Sequence, residues 1–261
     1  MKPRIIARLD IKGPNVVKGI HTEGLRVIGK PSDLARKYYQ QGADELVVMD
    51  IVASLYGRSP DFDLMRSVAD ELFIPLTMGG GIQSVQDINN FLRAGADKVA
   101  INTYATRHPE LISEAVKQFG SQCIVLSVEA KRTGSGPGSG PVRWEAYTDG
   151  GREHSGLDAI EWIKKALDLG VGEVLLTSVD FDGTRKGFDM ELLAAVAAFA
   201  QVPLVIHGGA KDPKSLTQAL KDGHADAVCC ASILHYDEWT VENLKKGLEA
   251  DGIPTRHVPS P

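Results

Sequence analysis

The stretch MGGGIQSVQDINNFLRAGADKVAIN, from Met78, returns as HGGAKDPKSLTQALKDGHADAVCCAS from His207, and GADELVVMDI, from Gly42, returns as GVGEVLLTSVD from Gly170. Both echoes lie about 129 residues apart, and self-similarity at a fixed offset is the mark of a structural unit that needs a second copy to complete its core. ARLDIK, from Ala7, and LSVEAK, from Leu126, are spaced slightly closer, the difference being taken up in loops. The chain therefore reads as two fused halves, about 1–120 and 121–261, that close into one domain over 1–261.

Each half alternates short apolar runs with segments of helical period. Strands are predicted over 4–10, 45–51, 74–79, 98–102, 123–129, 173–180, 203–208 and 227–232, with a helical pattern between or after them, from PSDLARKYYQQ to TVENLKKGLEADG. Such alternation calls for a parallel sheet, and eight units in this length fit an α/β fold of the closed (β/α)8 TIM barrel type, built from two half-barrels, better than an open doubly wound sheet. A hydrophobic content of 43% supplies its core.

A net charge of −5 gives no electrostatic footprint for nucleic acid or an anionic membrane, so an anionic ligand must be captured locally. MKPRIIARLD lacks the apolar core of a signal peptide, and no apolar run reaches the length of a membrane span. Cys123, Cys229 and Cys230 lie in strand-like runs without the paired spacing of a disulfide framework or zinc site. These features predict a reduced, cytoplasmic protein.

Asp10 and Glu129 fall at equivalent places in the two halves, at the ends of strands one and five, and so face each other across the barrel mouth. Active sites of such barrels sit at that face. A single strand-end acid is as readily a solvated or salt-bridged residue as a functional one, but two related by the repeat favour function. The same repeat duplicates glycine-rich turns, GGGIQS with Gly80 and Gly81, and HGGAKD with Gly208 and Gly209. Glycine turns bring backbone N–H groups close to an anion at a helix start. Asn102 and Thr103 neighbour the first turn, Ala231 and Ser232 the second, so a ligand with a phosphate at each end is predicted to span the mouth. After strand six, SVDFDGT groups Ser178, Asp180, Asp182, Gly183 and Thr184, acids too few and without histidine for a metal site and better suited to bonding ligand hydroxyls or the second phosphate.

RIIARLDIK, VVKG, DELVVMDI, GGGI, GADKVAINT, FGSQ, AKR, GEVLLTSVD and GGA together resemble the cyclase subunits of imidazole glycerol phosphate synthase, over nearly the whole chain. The resemblance implies a lyase of histidine biosynthesis that needs no cofactor. Ammonia from a glutaminase partner would pass through the barrel and attack a bis-phosphorylated ribonucleotide, giving imidazole glycerol phosphate and an aminoimidazole carboxamide ribonucleotide. It implies Asp10 and Glu129 as the acid–base pair, and Lys18, Asp50, Ser178, Asp180 and Asp182 as substrate contacts. Gly80, Gly81, Asn102, Thr103, Gly183, Gly208, Gly209, Ala231 and Ser232 would hold phosphates. At the opposite face it implies an ammonia gate of Arg4, Glu45, Lys98 and Glu173, residues that read equally as a salt-bridge layer plugging the barrel. Two other readings remain: a paralogue that channels ammonia to another acceptor, such as a surface-polysaccharide sugar undergoing amidination, and a partner that only conducts ammonia. The sister isomerase of the pathway fits the motifs less closely.

Three residues depart from the family pattern. Glu129 stands where the family has aspartate, Arg8 where it has a small residue, and His207 where it has a small polar one. Alternation from Asp10 points Arg8 into the barrel. TGSGPGSGP, residues 133–141, lengthens the loop after strand five within an inserted segment of about 132–153. Its tip is expected to be mobile, and VRWEAYTDGGRE reads as a hairpin over the mouth.

Overall fold

β1 (Arg4–Lys12), β4 (Glu45–Asp50), β5 (Leu76–Gly79), β6 (Lys98–Ile101), β7 (Ile124–Thr133), β10 (Glu173–Ser178), β11 (Leu204–His207) and β12 (Ala227–Cys230) pair in parallel. The pairing of β7 with β10 closes the ring into a (β/α)8 barrel. These coordinates are a computed structural model, which describes residues 2–57, 59–133 and 142–256. The predicted tip of the inserted loop, 134–141, lies outside the described residues.

Helices α1 (Pro31–Gln40), α2 (Phe62–Ala69), α3 (Val85–Arg93), α5 (Glu110–Phe119), α6 (Ala159–Asp168), α7 (Met190–Ala197), α8 (Pro213–Lys221) and α10 (Val241–Ala250) realise the eight predicted helical segments. Their starts are set by side chains that accept orphan backbone N–H groups: Asp61, Ser84, Asp158, Asp189, Asp212 and Thr240 cap their helices in this way. Strand alternation then divides the core in two. Ile5, Ala7, Leu9 and Ile11 of β1 face the helices, whereas Ile6 faces inward with Val47, Met49, Ala100, Val125, Leu175, Val205, Ala227 and Cys229. The barrel axis is thus a packed apolar lumen with polar side chains at both ends.

The structure adds elements to the predicted set. β2 (Asn15–Ile20) and β3 (Glu23–Gly29) form a hairpin after β1, so that VVKG is strand rather than loop. Its two-residue turn, His21 and Thr22, takes φ of 51° and 64°, the left-handed geometry of a tight hairpin, without the usual Asn-Gly signal. Two short helices, α4 (Thr103–Arg107) and α9 (Ser232–His235), follow β6 and β12 at repeat-equivalent places. β7 does not stop at Glu129: it leaves its parallel partners near Ala130 and runs on to Thr133, pairing antiparallel with β8 (Arg143–Thr148), which pairs with β9 (Glu153–Asp158). The expected hairpin over 142–153 forms as β8, its turn and the start of β9, and the extended end of β7 adds a third strand to it.

Candidate active site

Asp10 is reached from its own strand. Arg8, two residues earlier and on the same inward side, donates from Nε to Asp10 Oδ1 at 2.7 Å. Its Nη1 donates to Thr177 Oγ1 at 3.3 Å and lies 3.4 Å from His207 Nδ1. A guanidinium can only donate, so Nδ1 accepts and the imidazole proton belongs on Nε2, 3.9 Å from Asp182 Oδ1. Lys18, on β2, donates to both oxygens of Asp182 at 2.7 and 2.8 Å and stands 3.8 Å from Asp10 Oδ2. All five charged or imidazole groups are buried. Burial alone would push the Asp10 carboxyl up, but Arg8 and Lys18 outweigh it and hold Asp10 below the ordinary range, as an anion. Burial, reinforced by Arg8 and Lys18, holds His207 well below its ordinary value, so it is neutral.

Glu129 meets a different environment. Ser127 Oγ donates to its Oε1 at 3.3 Å and Asn102 Nδ2 to its Oε2, while Asn102 also reaches Tyr147 O at 3.3 Å. Burial pushes the Glu129 carboxyl up to about 7 against the pull of Arg8 and Ser127. The two acids of the mouth are therefore held apart in protonation, Asp10 charged and Glu129 titrating near neutrality. Pairs separated in this way divide the work of base and acid.

The glycine turns flank these acids. Gly80 and Gly81 carry φ of 116° and 70°, and Gly208 and Gly209 carry 91° and 100°. A cavity of about 250 Å³ opens at the first turn, lined by Gly80, Gly81, Asn102, Thr103, Asp50 and Glu129. At the second, Gly183, Gly208, Gly209, Ala231 and Ser232 surround only about 10 Å³. His207 lines that space and Asp182, tied to Lys18, closes its edge. Gly80→Ala has no room, since its Cβ would strike the Asp50 carbonyl oxygen, and its φ is closed to alanine. The expected result is a loss of at least about 2 kcal/mol in urea unfolding and weaker binding of phosphate-bearing ligands in calorimetry.

Residues 4–240 match the family described as histidine biosynthesis protein. The chain belongs to that family. It is 56% identical over 206 residues to the imidazole glycerol phosphate synthase subunit HisF of Legionella pneumophila, an alignment covering 79% of this chain and 94% of that relative.

This family member closes the other end of its lumen with charge. Arg4 Nη1 bonds Glu45 at 2.8 Å and Glu173 at 2.9 Å, and Lys98 Nζ bonds the same two carboxylates at 3.2 and 3.1 Å. Two cations and two anions thus alternate in a closed ring. Outside it lies a depression of about 830 Å³ that includes Lys2, Gln122, Gln201 and Asp226.

Not every residue assigned from the sequence presents its side chain to the mouth. Ser178 is turned to the outer side, donating to Asp189 at 3.2 Å, and Asp180 accepts from the backbone of Arg132 at 2.8 Å, anchoring the extended β7. Asp50, at the end of β4, accepts from Val52 N at 3.2 Å and lines the first cavity. Thr103 Oγ1 accepts from Asp149 N at 3.0 Å. Unanticipated is Arg152, which donates to the carbonyls of Ile51, Asp149 and Thr22 and so ties the β8–β9 turn to two other mouth loops. Its only signal in the sequence is the TDGG turn beside it. Among the described residues, no cluster of His, Cys, Asp or Glu could hold a metal ion, and no helix is long and apolar enough to cross a membrane.

Proposed function

We propose that this family member is the cyclase subunit of an imidazole glycerol phosphate synthase, fed with ammonia by a glutaminase subunit docked over the Arg4–Glu45–Lys98–Glu173 ring. The observation that carries the reading is the pair of buried acids, Asp10 anionic and Glu129 near pKa 7, between two glycine cradles. Ammonia crosses the apolar lumen as a neutral molecule and attacks the substrate held by its two phosphates. Asp10 takes up the proton that the attacking nitrogen sheds as it replaces the ribulosyl carbonyl oxygen, which leaves as water. Protonated Glu129 gives a proton to the nitrogen that leaves when the C–N bond breaks and the imidazole ring closes. Lys18, Asp50 and Asp182 bind the substrate's polar groups. Lys18 leaves Asp182 to do so, which opens the second cradle. Ser178 and Asp180 contribute by holding the loop and strand that frame it.

The test is turnover of the bis-phosphorylated substrate by the purified chain at saturating ammonium, with both products identified. Failure to turn over substrate that is bound would favour the second reading, an ammonia-using paralogue with another acceptor. The observation that speaks for that reading is the second cradle, reduced to about 10 Å³ beside His207.

The ring has its own test. Lys98→Met leaves Glu45 and Glu173 to Arg4 alone. Ammonium-driven turnover is expected to stay within about threefold of the parent, while glutamine-driven turnover with the partner falls by about tenfold or more, since the ring lies only on the second route. Equal losses by both routes would reduce the ring to a structural plug.

A further inference from the structure

Arg8 has no place in the acid–base scheme above, yet it joins three strands at the mouth. It is 4% exposed, set above the apolar lumen, and its donors connect Asp10 on β1, Thr177 on β10 and His207 on β11. A buried carboxylate must be matched by charge or hydrogen bonds. The other nearby cation, Lys18, gives both short bonds to Asp182 and is 3.8 Å from Asp10, so the Asp10 carboxylate depends on Arg8 at bonding distance. The Nε–Oδ1 bond also fixes which way the carboxylate faces.

We infer that Arg8 is a positioning residue for the reaction: it holds Asp10 as an oriented anion, so that proton uptake at the mouth falls to Asp10 rather than to Glu129 or His207. This rests on the acid–base reading of the site. The groups facing Arg8 are consistent with it. Asp10 on β1, Lys18 on β2, Asp50 on β4, Glu129 on β7, Asp182 after β10, His207 on β11 and Cys229 on β12 surround the mouth. Burial keeps His207 neutral, holds His235 of α9, which faces the Arg8 backbone, down to about 4, and pushes the Cys229 thiol up to about 12, so none of the three competes as an anion or cation near neutrality.

Removing Arg8 takes away the main opponent of burial at Asp10, whose carboxyl then rises. Glu129, which Arg8 also pulls down, rises with it. Activity needs Asp10 ionised and Glu129 protonated, so both limbs of the pH profile move to higher pH.

The experiment compares the parent chain with Arg8→Met, Arg8→Lys, Arg8→Ala and Asp10→Asn, measuring ammonium-driven turnover from acid to alkaline pH at constant free ammonia. Thermal melts monitor folding. In Arg8→Met, kcat is expected to fall about 100-fold at neutral pH, with KM within about threefold, and the deficit to shrink as pH rises. Guanidinium ion at millimolar concentration should restore part of the Arg8→Ala activity and none in an Asp10→Asn background. Arg8→Lys keeps the charge without the fork and should lie between, which carries the test if the other variants do not fold. A loss independent of pH and deaf to guanidinium would overturn the inference and leave Arg8 a role in the fold alone. Infrared spectra with 13C-labelled aspartate, referenced to Asp10→Asn, follow the Asp10 carboxylate without turnover. If the parent chain is inactive, an upward shift of that titration in Arg8→Met overturns the cyclase reading while leaving Arg8 as the group that holds Asp10 ionised. An unshifted titration would overturn the inference whatever the activity.

Discussion

Asp10→Asn and Glu129→Gln will each lower ammonium-driven kcat by about 10²–10⁴-fold, the usual contribution of a positioned acid or base. The two losses have different causes. Asparagine keeps a hydrogen-bonding side chain beside Arg8 but cannot take up a proton, so the Asp10→Asn loss should persist at every pH. Glutamine keeps the bonds to Ser127 and Asn102 but has no proton to give. In the parent, turnover at constant free ammonia should decline as pH rises through about 7, where Glu129 ionises. That decline should vanish from the residual activity of Glu129→Gln. The measurement is kcat against pH for the three proteins. A Glu129→Gln variant within tenfold of the parent would remove Glu129 from the proton transfers and give its role to water or to Asp10 alone.

The same titration has a sign for stability. A carboxyl raised by burial from its ordinary value to about 7 gives stability that is fully present below the ordinary carboxyl range and is lost progressively as pH rises from there through about 7. Asp10 acts the other way. Its lowered value gives stability that is present at neutral pH and is lost as pH falls through the folded-state value. The mouth is therefore built from two acids tuned in opposite directions, Asp10 adding to stability near neutral pH and Glu129 giving it up as it ionises, and such divergent shifts are typical of functional sites.

The repeat made the barrel legible, because matched apolar runs and glycine turns leave few topologies that can bury both halves. The helix starts were equally plain, being written in Asp and Ser residues that cap them. The β2–β3 hairpin was not legible. Its turn uses His21 and Thr22 in a conformation for which glycine or asparagine is the usual sign, and Lys18 reaches Asp182 only because that hairpin folds back over the mouth. The end of β7 was read from the carboxylate at Glu129, whereas the chain keeps its extended form through Thr133 because β8 supplies a new antiparallel partner. Asp10 and Glu129 were visible through symmetry, and the inward direction of Arg8 through alternation. What the sequence left out was the third dimension of the polar network. Ser178 lies one residue beyond inward-facing Thr177 and so points outward to Asp189, a partner eleven positions away on another element.

That outward network sets the largest expected stability effect. Asp189 is fully buried and accepts from Arg132 at 2.5 and 3.1 Å, from Trp144 Nε1 at 3.4 Å and from Ser178 Oγ at 3.2 Å. It also caps α7 by accepting from Leu192 N at 3.2 Å. Asp189→Ala strands all of these donors at once. Breaking a buried pair by removing one partner costs about 3–5 kcal/mol, and the lost cap contributes about 1 kcal/mol of such a total. Arg132 is partly exposed and keeps Glu191 at 2.9 Å, which places the expected loss near the lower end, about 3 kcal/mol, in urea unfolding. Asp189→Asn preserves one acceptor and should cost less. A loss below about 1 kcal/mol would mean that water replaces the carboxylate and that β8 is held by its strand pairing alone. The consequence reaches the mouth through the backbone. Arg132 and Trp144 oppose each other across β7 and β8, and three residues further along β8 the carbonyl of Tyr147 accepts from Asn102, the donor that also holds Glu129. Loosening β8 at Asp189 should therefore lower kcat as well as stability, even though Asp189 itself faces away from the substrate.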